Sequence, residues 1–360
     1  MAKEYKIQVS GFPLFIASSI KNKSIGSNDI RVSEVWAFLS YTIRISKKPT
    51  GNPLNKGEQS FLLDLLEQAK YFFETAEEAP IKSQPLLYYY SFMNLSKIAI
   101  NLNYYLGNSK RYVHGITDTI MATSKLSNVE ISLWKSDNNK YSISEELIKM
   151  LGDQSLSYVS VGRNRGHNIT FKVIDLLKGC IGIHKTYCEI FNQKDIFYKL
   201  SNIELYSKSK KLYIKANVDI IDDASMDNLI SKGYNIRKEG VAYILEEDVN
   251  IKKISSPTQN EKYRLAKKLK SKGVWTYTDV SAYKLYISDL NINLSSASII
   301  YHVMFFFGSI TRYHPDLFDK IMSAKEYWLI SEFLRTQPKQ FLYYMVSKIN
   351  GVDVLMSKQI

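Results

Sequence analysis

The chain has 360 residues, 45% of them hydrophobic and 23% charged, the balance of an ordinary globular protein too long for one small domain. A net charge of +13 favours anionic partners, although Lys, Ile, Asn and Tyr all have A/T-rich codons and a biased genome would supply part of that charge. Two cysteines exclude a disulfide framework, and no run approaches the roughly 18 apolar residues of a membrane span, so a cytoplasmic location without membrane contact is expected.

In chain order, residues 5 to 20 alternate as a strand or loop would, and their apolar patch is too short for a signal peptide. Helical spacing runs through 32–46. After the loop "PTGNPLNKG", the segment 57–79 carries Phe61, Leu62, Leu65, Leu66, Ala69 and Phe72 at three-to-four spacing. "SQPLLYYYSFMNLSKIAINL", residues 83–102, predicts a helix apolar on most sides, with Pro85 tolerated in its first turn. A long polar connection, 106–162, holds short strand-like runs such as "VEISLW", and helical periodicity returns over 171–191.

Composition then shifts. Segments 197–207, 210–220 and 241–249 read as strands, and "MDNLISKGYNI" reads as a helix closed by Gly233, giving a small β-β-α-β module. A basic stretch follows Pro257, then a strand candidate, "VWTYTDVSAYKLYI". The C-terminus predicts helices at 294–312, 315–322, 325–335 and 338–349. The expected fold is α+β and mainly α. A helical body is formed by an N-terminal part (1–194) and C-terminal helices (291–360), with an inserted strand-rich module at 195–290.

Three stretches carry a resemblance: "PLLYYYSFMNLSKIAI", the "HGI" of residues 114–116, and "GSITRYHP" at 308–315. Together they resemble the aromatic helix, the His-Gly element and the Arg-Tyr-x-Pro element of the YaaC-like family of bacteria. The resemblance implies where a fold and a site lie rather than a reaction, and gene neighbourhoods of related helical proteins imply a link to antiphage defence or stress.

Within 83–102, Ser91, Asn94, Lys97 and Asn101 form one polar strip. Buried polar groups need partners. The strip is therefore either the wall of an anion cleft through Asn94 and Lys97, or a hydrogen-bond network tying this helix to "RYVHGI" and "TRYHP". Lys97 favours a ligand, because its segment offers no counter-charge. Arg111, His114, Arg312 and His314 are expected opposite the strip, where Arg binds phosphate with a planar fork and His exchanges protons; helix capping is the alternative.

Arg163, Arg165 and His167 lie among glycines before the expected helix and are either an anion loop or a plain basic surface. No histidine has an arginine five to seven positions before it, which disfavours HEPN-type ribonuclease chemistry. Cys180 and Cys188 on one continuous helix would lie about 12 Å apart, too far for one zinc ion, so no metal and no cofactor are expected. Asp219, Asp222, Asp223 and Asp227 suit loop and N-cap duty. Lys267, Lys268, Lys270 and Lys272, followed by Trp275 and Tyr277, would suit a nucleic-acid backbone or a solvated helix face.

The leading expectation is a protein that binds nucleic acid or a nucleotide-type anion. The alternatives are a ribonuclease-type enzyme using His114 or His167 as acid/base, and a non-catalytic scaffold docking a partner protein of a defence system.

Overall fold

The computed structural model describes residues 4–7, 29–104, 111–120, 125–137, 140–152, 159–160, 167–220, 222–278, 283–292 and 294–357. The chain forms two compact units. One comprises Glu34–Lys194 and Ile292–Ile349; the other comprises Met1–Ser33, Asp195–Asn291 and Asn350–Ile360. Among the described residues no helix is long and apolar enough to cross a membrane.

The chain opens with β1 (Tyr5–Ile7) and β2 (Asp29–Val32), then α1 (Val35–Ile45), α2 (Lys56–Glu78) and α3 (Gln84–Tyr104). Asn55 and Glu58 close a capping box on α2, which satisfies two orphan amides and fixes where the helix starts. Leu62, Leu65, Leu66, Ala69 and Phe73 on α2 are buried, as are Tyr88, Phe92, Leu95 and Ile98 on α3. Phe73 meets Tyr88 edge-on at 5.2 Å.

The polar connection holds β3 (Arg111–Val113), β4 (Ile116–Asp118), β5 (Glu130–Trp134), β6 (Lys140–Ser142), α4 (Ile143–Leu151), β7 (Val159–Ser160) and β8 (His167–Lys172). The sheet order is β4-β5-β8-β7, and β3 pairs in parallel with β6. The single helix expected over 171–191 does not form. Phe171 and Lys172 complete β8, where Thr170 and Ser132 also join hydroxyls at 3.0 Å across β5. Helix resumes as α5 (Val173–Lys178), breaks at Gly179 and a tight turn at Ile181–Ile183, and ends as α6 (His184–Phe191).

Next come β9 (Phe197–Lys208), β10 (Lys211–Val218), α7 (Asp223–Ser231), β11 (Ile236–Glu239), β12 (Ala242–Asn250), α8 (Gln259–Ser271), β13 (Trp275–Thr278) and β14 (Tyr283–Ser288). Antiparallel strands run in the order β11-β12-β10-β9-β14-β13, and β1 also pairs with β9. Leu212, Ile214, Ala216 and Val218 alternate inward along β10 and join Leu265, Ala266 and Leu269 of α8 in one core.

The chain closes with α9 (Ser296–Tyr313), α10 (Pro315–Met322), α11 (Glu326–Asn350) and β15 (Asp353–Met356). Within the strand-rich unit β1 pairs with β9, and β15 pairs in parallel with β2. Pro338 does not divide α11. Proline costs a helix about 3 kcal/mol, yet Phe333, Leu334, Phe341 and Leu342 on either side of it are buried. Packing on both flanks outweighs that local cost.

Two contacts lock α4 into the helical unit. Ser144 Oγ meets His302 Nε2 at 2.6 Å, and His302 Nδ1 donates to the Ser298 carbonyl at 2.5 Å. His302 is fully buried, and burial lowers its pKa from 6.5 to about 4. The unfolded chain therefore takes up this proton first. The resulting stability is complete above about pH 6.5 and is lost as pH falls toward 4, amounting to on the order of 3 kcal/mol. Chemical denaturation of wild type and His302→Gln should show a stability gap at pH 7.5 that shrinks by about 2–3 kcal/mol at pH 4.5; a pH-independent gap would refute the assignment.

The second contact lies at Gly115, where φ is +70° and an added Cβ would sit 1.8 Å from Ser142 Oγ and 2.6 Å from its Cβ. Gly152 shares a left-handed backbone (φ +73°) but faces open space. In thermal melts Gly152→Ala should cost only the left-handed penalty of about 1–2 kcal/mol, and Gly115→Ala clearly more. Equal losses would show that the approach of Ser142 is unimportant.

Candidate functional site

The polar strip on α3 divides between two roles. Ser91 Oγ donates to the Ala69 carbonyl on α2 at 2.8 Å, and Asn94 Nδ2 reaches Gln68 Oε1 at 3.4 Å. Asn101 Nδ2 donates to Tyr112 Oη at 2.8 Å and so fastens α3 to β3. These three groups hold helices and strands together. Asn94 is 2% exposed, with Gln68 of α2 on its Nδ2 side and the Lys97 ammonium on its Oδ1 side.

Lys97 is the exception. It is half-buried, and its ammonium reaches Asn94 Oδ1 only at 3.5 Å, the outer limit of a hydrogen bond. Burial lowers its pKa. Among the described residues no carboxylate pairs with it.

His114 and Arg312 lie beside it. Tyr89 Oη and His114 Nδ1 are 2.6 Å apart, with the rings 5.6 Å apart. Burial first, then the charges of Lys97 and Arg312, hold the His114 pKa below its ordinary value, so the ring is neutral near pH 7. Burial, with the neighbouring Tyr301 and Tyr90, pushes Tyr89 well above the usual phenol range. Either a protonated Tyr89 donates to Nδ1 and the ring proton sits on Nε2, or Nδ1–H donates to the phenol oxygen; both satisfy the contact. His114 as a whole is exposed.

Arg312 Nη1 donates to Tyr90 Oη at 3.1 Å, and its guanidinium lies 5.0 Å from the Tyr313 ring centre. Arg312 and Tyr313 are both exposed at the end of α9. Asp118 of β4 accepts from Ser309 Oγ of α9. Gly308, beside Ser309, sets the helix spacing: a Cβ there would lie 3.3 Å from Tyr89 Cβ and 3.5 Å from the Pro85 carbonyl. The His114 carbonyl accepts from Ser144 N at 3.3 Å, and the Gly115 carbonyl accepts from Trp134 N at 2.8 Å. The His-Gly turn is thereby held on both sides.

The other sequence candidates lie elsewhere. Arg111 is exposed at the start of β3, with no hydrogen bond tying it to this group. His314 joins α9 to α10 through its backbone, its carbonyl accepting from Leu317 and Phe318. His167 begins β8, and Arg163 and Arg165 lie outside the described residues. Lys267 is exposed; Lys268 and Lys272 both turn onto Glu247, which is 3% exposed, and Lys268 Nζ also donates to the Asp248 carbonyl at 2.9 Å. Lys270 lies near the end of α8. At least half of that basic segment is thus engaged internally.

Asp222 caps α7, accepting from Ser225 N at 2.7 Å, and Asp223 pairs with Lys238 and Tyr243. Cys180 is buried, and Cys188 Sγ lies 3.3 Å from His184 Nε2. Because the tight turn Ile181–Ile183 lies between Cys180 and the helix α6 that carries Cys188, the two do not share one continuous helix and the 12 Å spacing argument does not apply. Among the described residues no group of three or more His, Cys, Asp or Glu side chains gathers as a metal site would.

Tyr89, Tyr90 and Tyr313 were not singled out from the sequence. A run of tyrosines on an apolar helix reads as core, and only the fold shows which hydroxyls meet His114 and Arg312. Comparison with curated proteins and with solved structures found no match. The family model described as YaaC-like Protein matches residues 31–349, a span that includes α3, the His-Gly turn and the end of α9. The chain belongs to the YaaC-like family.

Proposed function

We propose that this protein binds a phosphate-bearing anion between α3, the His114–Gly115 turn and the end of α9. One observation carries the reading: Lys97 and Arg312 flank a neutral histidine, and among the described residues no carboxylate pairs with either. Leaving a half-buried ammonium without a counter-charge costs stability, and a fold bearing that cost for its own sake would do better with an apolar side chain. Arginine supplies a planar fork for phosphate oxygens and lysine a point charge. His114 adds an N–H donor in the tautomer whose Nδ1 accepts from Tyr89. A nucleotide fits this donor set better than long nucleic acid, because Lys268 and Lys272 are bound to Glu247. A role in antiphage defence or stress is compatible with this reading but is carried by no feature of the site.

A second reading uses the same histidine. In the other tautomer, with Nδ1–H donating to Tyr89, the neutral imidazole presents a bare Nε2 that can accept a proton, as a ribonuclease-type acid/base would. Total RNA incubated with wild type and with His114→Ala decides it: cleavage lost in the variant supports the reading, and equal cleavage removes it.

For the binding site, Lys97→Met should weaken anion affinity at least tenfold while the melting temperature stays level or rises, since the variant removes an uncompensated charge. Arg312→Ala should weaken binding similarly with little change in melting. If both variants melt lower and bind as well per folded molecule, these residues are structural.

A further inference from the structure

The arrangement of donors also selects among anions, an inference that rests on the binding site proposed above. Tyr90 and Lys97 lie on one face of α3, two turns or about 10 Å apart along the axis. Arg312 is fixed at the Tyr90 end through Tyr90 Oη, while the Lys97 ammonium points back toward Asn94. His114 lies against Tyr89, within reach of both charges. The donors thus form a row rather than a single cup, and the two permanent charges match more than one ionised oxygen group. Beyond Arg312 the row ends on Tyr313, which is 62% exposed and carries the guanidinium on its ring. A planar cation on an aromatic ring is a surface on which a nucleobase stacks.

We propose that the ligand is a nucleotide with two linked phosphates, its base on the Arg312–Tyr313 platform and its phosphates laid along α3 from Arg312 past His114 toward Lys97. A single phosphate would use one end of the row. The buried Tyr301 hydroxyl, which lies beside Tyr89 without completing a hydrogen bond of good geometry, backs the Tyr89–His114 pair from the interior.

Calorimetric titration of the full chain with inorganic phosphate, pyrophosphate, AMP and ADP, without divalent metal, tests this. Pyrophosphate should bind at least tenfold more tightly than phosphate, and ADP more tightly than both AMP and pyrophosphate. Lys97→Ala should reduce pyrophosphate to the level of phosphate. Tyr313→Ala, at an exposed position where folding is easily checked by melting, should lower ADP affinity at least fivefold and abolish its advantage over pyrophosphate. Equal affinities for phosphate and pyrophosphate, or ADP binding indifferent to Tyr313→Ala, would overturn the diphosphate assignment while leaving an anion site in place. No binding of any of the four anions by folded protein would overturn both.

Discussion

Close approach of α3 and α9 at Gly308 underlies the geometry of the site. With hydrogen in place of a side chain, α9 settles against Pro85, Leu86 and Tyr89, and the neighbouring turns bring Tyr301 and Phe305 onto the Tyr89 ring at 5.8 and 5.4 Å. Tyr89 is thereby gripped from the interior, with its hydroxyl 2.6 Å from His114 Nδ1. The same approach carries Arg312, one turn further along α9, to Tyr90. A wider spacing would loosen both links together, since both depend on the same pair of helix axes.

The polar strip shows how one helix face can serve two masters. Ser91 and Asn101 exchange water for fixed partners on α2, β3 and α3 itself, each contributing about 1 kcal/mol as a satisfied hydrogen bond does, while Asn94 makes only long contacts to Gln68 and Lys97. Lys97 receives no such return within the described residues. A folded chain tolerates such a group because the satisfied neighbours and the apolar contacts around it, such as Phe92 stacked on Phe341 at 4.0 Å, supply the stability that it does not.

Much of this was legible before the fold. Apolar spacing located α2, α3 and α9 to within a few residues, and the lack of an acid near Lys97 in sequence marked it out among the strip's members. Other features could not be read. The break expected between 335 and 338 does not form, because the burial of Phe333 and Phe341 on either side of it cannot be seen in sequence. Residues 171–172 suggested helix because a short apolar run fits either period, and only pairing with β5 decides. That Gln68 of α2 is a neighbour of Asn94 is likewise invisible in the sequence. The tyrosines that orient His114 and Arg312 were hidden by their own ordinariness on an apolar helix.

The helical unit draws on two stretches of chain that are far apart in synthesis. Tyr90 and Arg312 are separated by 222 positions. At ribosomal speeds of about 5–20 residues per second, α3 waits on the order of ten to forty seconds for the helix that covers it. Throughout that interval the surface formed by Tyr89, Phe92 and their neighbours is bare on the side that α9 and α11 later occupy, while the strand-rich segment emerges behind it. A nascent chain of this design depends on whatever shields that surface, a chaperone or a transient collapse of α1 and α2, until the final helices are made.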